Sequence, residues 1–571
     1  MATLATPVSE PSAPTGSIDW SQRAAQALLL LACAALVLFL LAPLGAILVK
    51  SVQDKDGTFV GFGPILDYVQ SPGLVESLTN TLFVATIVTV VTIPLAFTFA
   101  YGLTRSCMPA KGVFRLIALT PILAPSLLAA ISFIQWFGNQ GALKGLLFGH
   151  TVYGPIGIVI SSIYAIFPHA LMIVLTSLLL TDRRLYEAAE SMGTTRRRQF
   201  FTITLPSARY GLVSAAMVVF SYTVSDFGIP KVIGGNYHVL AIDIYQQVIG
   251  QQNFNRGAIV GLILLLPVVI AFAIDWWMQS RQQSQFSSRA VAYVPRPSRG
   301  FDLAMLVFCA IVCLFMLAVL GMAVYTSFIK LWPYDKSFSL RHYGFGLIDG
   351  GVIDSYFNSL RMALLTAFAG TVLVFGGAYL LEKTRGLAPV RTAMRFLAAI
   401  PMAVPGMVLG LGYIFFFNAP SNPLNFLYGT MTILVLSTVI HYYTSSHLTA
   451  VTALKALDNE FEAVSASLKV PFYKTFFRVT VPVCLPAILD IARYLFINAM
   501  VTLSAVIFLY SPDTKLASVA IVNLDEAGEI GPAAAMATLI VATSIVICLV
   551  YALLTRFLVN RTQAWRTPVA V

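Results

Sequence analysis

The chain has 571 residues, of which 58% are hydrophobic and 11% charged, and it carries a formal net charge of +11. A water-soluble protein of this size needs more charge to cover its surface, so the composition excludes a soluble enzyme or signalling domain and points to a bilayer as solvent. The positive balance reads as Lys and Arg gathered in cytoplasmic loops, and no nucleic-acid partner is expected.

Residues 1–23 are rich in Pro, Ser and Thr and lack a basic n-region, which predicts a disordered cytoplasmic tail ahead of a retained first span. Apolar runs long enough to cross the hydrocarbon follow at 24–49, 78–104, 113–137, 153–180, 207–228 and 256–279. The basic, Pro-containing cytoplasmic linker 280–300 leads to a second set at 301–329, 359–382, 393–417, 428–453, 485–510 and 533–558, and a short cytoplasmic tail occupies 561–571. The expected fold is an all-α polytopic membrane protein of about 12 transmembrane helices, with six-span halves at 24–279 and 301–560.

Loops after the even-numbered spans hold most of the basic residues, among them Arg105, Lys111, Arg196 to Arg198, Arg281 and Lys383. The loop at 138–152 has only Lys144, and 418–427 has none. This asymmetry predicts a multi-pass protein of the inner (plasma) membrane with both termini cytoplasmic. The halves repeat one another: "NTLFVATIVTVVTIPLAFTFAYGLTR" (80–105) matches "NSLRMALLTAFAGTVLVFGGAYLLEKTR" (358–385) at its Asn, its AYxL and its Thr-Arg. Pro121 and Pro125 of "TPILAPSL" recur 280 positions later in "IPMAVPGM". Both halves start on the same side, so the repeat is parallel, with a translocation path expected on its axis. The six cysteines show no CxxC or Cys/His spacing, and neither disulfides nor a metal site are expected.

Each fourth span is followed by a polar, Pro-terminated element. In "YEAAESMGTTRRRQFFTITLP" (186–206), Asp182 can cap a short helix with Leu185, Ala188, Ala189 and Met192 on one stripe, and Gly193 can supply the left-handed position that ends it. Thr194 or Thr195 then caps a second helix, and Pro206 marks the return to the membrane. Taken singly, this is an interfacial amphipathic helix on anionic lipid. Its recurrence as "FEAVSASLKVPFYKTFFRVTVP" (461–482) favours a pair of docking elements.

The first stretch resembles the EAA signature of binding-protein-dependent ABC importer permeases, through Glu-Ala-Ala, a Gly six residues after the Glu, and a closing Leu-Pro. The resemblance implies a coupling helix seated in a groove of an ATPase subunit, with Glu187, Ala188, Ala189, Gly193 and Pro206 as its residues, and Glu462, Ala463 and Pro482 in the second copy. Val464 replaces the second Ala there, and Lys469 stands where Gly is expected. It further implies two copies of a cytoplasmic ABC ATPase and a periplasmic substrate-binding protein as partners, with ATP and Mg bound by the ATPase and no cofactor in this chain. No Gly-Lys dipeptide occurs, so the chain has no Walker A loop of its own. Fused halves of this length resemble the 2-aminoethylphosphonate and ferric-iron permease group. Segments 225–254 and 504–541 are more similar to the phosphonate members, so 2-aminoethylphosphonate is the expected substrate and ferric iron the alternative. A secondary transporter or channel is a reading of another class, disfavoured by the scarcity of intramembrane acids.

Among the ionisable residues in or near spans, His169, Arg361, His441, Asp490 and Arg493 are singled out as candidates. Asp490 and Arg493, three apart on a helix, are expected to neutralise each other. His169, Arg361 and His441 are the candidates for the path, each weighed against a purely structural role. The "SDFG" at 225–228 has no other kinase element around it and carries no catalytic expectation.

Overall fold

The computed structural model describes residues 20–54, 57–283, 291, 293–345, 351–384, 386–458, 460–468 and 470–562. Among these residues, nine helices are long and apolar enough to cross a membrane, and two further helix pairs pass that test when each is taken as a bent span. In the first half the order is α1 (Trp20–Ser51), α2 (Pro72–Arg105), the pair α3 (Lys111–Leu123) and α4 (Ser126–Phe137), then α5 (Pro155–Leu179). The short α6 (Arg183–Ser191) precedes α7 (Arg196–Ser225), α8 (Gly228–Ile233), α9 (Leu240–Tyr245) and α10 (Phe254–Gln283). The second half begins with α11 (Arg299–Ser327) and a small hairpin of β1 (Ile329–Leu331) and β2 (Asp335–Phe338). It continues with α12 (Val352–Lys383), the pair α13 (Ala388–Ala403) and α14 (Gly406–Phe417), α15 (Met431–His441) and α16 (Tyr443–Lys455). The last elements are α17 (Glu460–Ser467), α18 (Phe472–Val501), α19 (Ala517–Glu526) and α20 (Ile530–Thr562).

Four of the expected straight spans have a different form. Residues 113–137 and 393–417 are bent by 102° and 113° between α3 and α4 and between α13 and α14. Both breaks fall at a proline, Pro125 and Pro405, each extended with ψ near 140° and each lacking the N–H that would continue the ladder. The fourth span of the second half is split at Tyr442, where the Thr444 hydroxyl accepts from Met402 N–H and donates to the Ala398 carbonyl of the neighbouring bent span. The span expected at 485–510 leaves the helix at Val501 instead.

The first helix of each half packs on the other half: α1 lies against α14, and α11 against α3 and α4. Local chemistry explains how α1 is held. Pro43 cannot donate to the Phe39 carbonyl four residues back, and in hydrocarbon that orphan needs a partner. The Tyr413 hydroxyl of α14 supplies it at 2.8 Å. Beside it Gly412 admits the α1 backbone so closely that a Cβ would sit 2.7 Å from the Pro43 oxygen. On the other side, the Trp136 indole N–H donates to the Ala318 carbonyl of α11. Outward faces remain apolar, as at Leu31, Leu314, Phe368 and Leu553, which suits lipid as the surrounding solvent.

Gly412→Val is expected to destabilise the cross-half contact by about 1–3 kcal/mol, the usual cost of overpacking. Gly45→Val in α1, where nothing lies within 4 Å, serves as the control. Thermal unfolding of the detergent-purified chain checks this, with a lowered midpoint expected for the first variant only.

Candidate coupling surface and translocation cavity

The element after the fourth span is built from local caps. The Asp182 carboxylate accepts from Arg184 N–H at 3.0 Å to start α6, and it also accepts from Val291 N–H at 3.3 Å. The Arg184 N–H, and secondarily that of Val291, holds the Asp182 carboxyl below the usual carboxylate range. Gly193 ends the helix with φ +70°, and Thr194 N–H then reaches back to the Ala189 carbonyl at 3.0 Å. Thr195 caps the next helix by accepting from Arg198 N–H. The expected stripe divides in two. Leu185, Ala188 and Met192 are exposed, Met192 at 75%, whereas Ala189 turns inward with Tyr186 because the two are three residues apart on the other face. Glu187 is exposed and pairs with Arg183 at 2.7 Å.

The inward face is anchored on a buried cation. Arg105, 7% exposed at the end of α2, donates to the Leu178 carbonyl at 3.0 Å and to the Tyr186 hydroxyl at 3.4 Å. The Tyr186 and Thr204 hydroxyls are hydrogen-bonded at 2.8 Å. Thr204 closes a π-helical turn, Phe200–Thr204, that leads into Leu205 and Pro206. Pro206 has no N–H to continue the ladder, and the widened turn, with Leu205 N–H bonded to the Phe200 carbonyl, carries the chain past it.

The second copy follows the same plan. A π-helical turn, Phe476–Thr480, precedes Val481 and Pro482, and lies 276 positions after the first. In each half the tyrosine of AYxL packs on the first phenylalanine of that turn, Tyr101 on Phe200 at 5.6 Å and Tyr379 on Phe476 at 4.6 Å between centroids. Phe461, Val464 and Leu468 form an exposed apolar stripe along α17. Val470 N–H reaches back to the Ser465 carbonyl as Thr194 does to Ala189. The side chains of Glu462 and Ala463, and Lys469 entirely, lie outside the described residues.

At the centre, the two proline bends face a cavity of about 250 Å³ between the halves. Pro121, Ala124 and Ser126 line one side, and Pro401, Val404 and Gly406 the other. His169 and His441 both line it, with His169 edge-on to Tyr222 at 5.0 Å and His441 against Tyr442 at 4.6 Å. Tyr494, Asn498, Thr502 and several Ser and Thr hydroxyls add to the polar lining. Asp226 is the one acid among the described lining residues, and no Lys or Arg lines the cavity. Its carboxylate accepts from the Ser126 hydroxyl at 3.4 Å and from Ile229 N–H at 3.3 Å, tying α8 to the bent span. On the side away from the coupling elements, Lys231 of the first half pairs with Glu526 of the second at 2.6 Å.

Arg361 is a correction to the sequence reading. It is exposed on the stripe of α12 that also shows Phe357, Leu364 and Phe368, a spacing that turns it toward lipid, and it does not line the cavity. Asp490 and Arg493 pair at 3.1 Å on an exposed face, as their spacing suggested. Asp226 went unrecognised because "SDFG" was weighed only as a kinase motif. Its signal is an acid at the end of an apolar span, two residues before a glycine and 276 positions before Thr502 of the other half. Tyr186 and Arg105 carried no separate signal, since an anchoring aromatic reads like any other apolar residue.

Two pseudo-equivalent helical cores, each with a capped element that returns through a π-helical turn and jointly enclosing a polar cavity, fit a membrane permease. The family described as "binding-protein-dependent transport system inner membrane component" matches residues 92–284 and 374–563, and the chain belongs to it. Its relatives include the ferric transport system permease protein FbpB of Actinobacillus pleuropneumoniae, 28% identical over 84% of this chain and 71% of that protein. The Fe(3+)-transport system permease protein FbpB 2 of Haemophilus influenzae is 24% identical over 81% and 87%. The molybdenum transport system permease protein ModB of Azotobacter vinelandii is 24% identical, over 34% of this chain and 89% of its own length.

Gly193→Val places a β-branched residue in a left-handed position, at a cost of roughly 1–2 kcal/mol, and Gly193→Asn costs less. Limited trypsin cleavage at Arg196–Arg198 in membranes is expected to accelerate for the valine variant and to stay near wild type for asparagine.

Proposed function

We propose that this transport subunit is the membrane-spanning permease of a ferric-iron importer, powered by a separate cytoplasmic ABC ATPase and supplied by a periplasmic binding protein. The structural observation that bears on the substrate is the charge of the central cavity, with Asp226, two imidazoles and several phenols, and no Lys or Arg among its described lining residues. A carboxylate in a low-dielectric path favours a cation, and imidazole is an accepted iron ligand. The phosphonate group of 2-aminoethylphosphonate would meet Asp226 as a like charge and its ammonium as an opposite one, so the cavity charge alone does not separate the two substrates and the choice of iron leans on the relatives. The names borne by the ferric-transport relatives support that choice.

Two ATPase copies dock on the exposed stripes of α6 and α17, one per half. Their closure draws the coupling elements together, the π-helical turns pass that motion into α7 and α18, and the Lys231–Glu526 pair on the far side opens. The binding protein presents its load to the loops beyond that pair, within 229–255 and 511–532. Both termini are cytoplasmic in this arrangement. The chain itself performs no bond chemistry.

Asp226→Asn is expected to lower radioactive ferric uptake at least about tenfold, with chain abundance and ATPase co-purification unchanged; tenfold corresponds to 1.4 kcal/mol. Unchanged uptake in that variant removes the cation argument. Independently, Glu187→Lys is expected to lose most co-purifying ATPase while the chain still inserts. Normal ATPase recovery and normal transport in that variant contradict docking at α6.

A further inference from the structure

The linker between the halves does more than connect them. Residues 291 and 293–298 run alongside α6 and touch it near its start, its middle and its end. Arg183 N–H donates to the Val291 carbonyl at 2.9 Å, and Val291 N–H to the Asp182 carboxylate. The Tyr293 ring lies 4.3 Å from the Arg105 guanidinium carbon and 4.7 Å from the Tyr186 ring. Arg296 pairs with Glu190 at 2.8 Å. At the far end, Ser298 N–H donates to the Asp302 carboxylate, which also accepts from Cys107 N–H at 2.7 Å, so the strap is fastened to both the α2 terminus and the start of α11.

Arg105 explains why the strap matters. It is a buried guanidinium with no carboxylate partner among the described residues, and its Nε has no hydrogen-bond partner there. Such a charge is tolerated only where carbonyls and aromatic faces replace water. Tyr186 offers one face, 5.2 Å away, and Tyr293 offers the nearer one. Removing the Tyr293 ring uncovers Arg105, and with it the anchor that fixes the rotation of α6. The path is continuous: α6, the strap, α11, and then the bent α3–α4 span that walls the cavity. The second coupling element is held by another device, Phe472 N–H donating to the Ser21 hydroxyl at the start of α1.

We infer that the linker is a positioning strap for the first coupling helix, with Tyr293 as the residue that makes ATPase closure at α6 productive. This rests on the reading of α6 as an ATPase-docking helix. The test uses the full chain in nanodiscs with the ATPase that co-purifies with it, measuring bound ATPase and its rate of ATP hydrolysis for wild type, Tyr293→Ala and Tyr293→Phe. The expected result is ATPase binding within about twofold of wild type for both variants. Hydrolysis is expected to fall about fivefold or more for Tyr293→Ala, the scale of a modest coupling free energy, and to be restored in Tyr293→Phe, which keeps the ring face. Wild-type hydrolysis in Tyr293→Ala, or a phenylalanine variant as defective as the alanine one, overturns the strap. Parallel loss of ATPase binding and hydrolysis also overturns it, by assigning Tyr293 a merely structural role. Should Tyr293→Ala fail to accumulate, Tyr293→Leu keeps the apolar cover without a ring face, and the same two quantities decide. A wild-type chain that retains no ATPase overturns the docking reading and the strap with it.

Discussion

Pro125 and Pro405 impose the constraint on which the rest of the structure depends. Each removes a donor from the middle of a membrane span, and a broken backbone in hydrocarbon must be covered by protein or face a polar cavity. Here both happen. The bends of 102° and 113° turn Ser126 and Gly406 toward the central cavity, while the first helix of the opposite half closes over the outside of each bent span. The cross-half packing of α1 and α11 is thus the counterpart of the bends, and the halves cannot be separated without exposing them. Pro43 leaves the Phe39 carbonyl without its helical donor in the same contact, and Tyr413 from the opposite half answers it.

A second repeated solution links the cytoplasmic elements to the spans. In both halves a proline at the head of the fifth span is preceded by a π-helical turn, and in both a tyrosine from the second span packs on that turn. Such turns sit where a helix must absorb a change without breaking. The halves then diverge in chemistry: Asp226 of one half corresponds to Thr502 of the other, both lining the cavity, and Val291 of the linker bonds to the cap of α6 while Ser21 of α1 bonds to the start of α18. Symmetry belongs to the scaffold, and asymmetry to the cavity lining and to the segments that hold the two capped elements.

Much of this was legible in the residues. Apolar run length is a strong signal because lipid enforces it, and the repeated prolines mark the same bend in each half. The sharpness of those bends was not legible, because a proline is compatible with a kinked, continuous helix such as α5, which passes Pro168 unbroken. Arg361 misled because a cation in a span reads as functional until its face is known, and the exposed stripe it shares with Phe357 and Phe368 depends on how α12 packs. Ala189 likewise belongs with Tyr186 only once α6 has a defined inner side. Asp226 illustrates the opposite error, a polar residue set aside because a short motif around it matched an irrelevant family.

The proposed ferric cation passes through a cavity whose only described charged lining residue is an acid. The most direct measurement compares host cells with and without the gene for uptake of radioactive ferric iron and of labelled 2-aminoethylphosphonate, each under starvation for the element supplied. The account predicts that deletion abolishes the iron uptake and leaves phosphonate uptake intact. Loss of phosphonate uptake with iron uptake unchanged would contradict it.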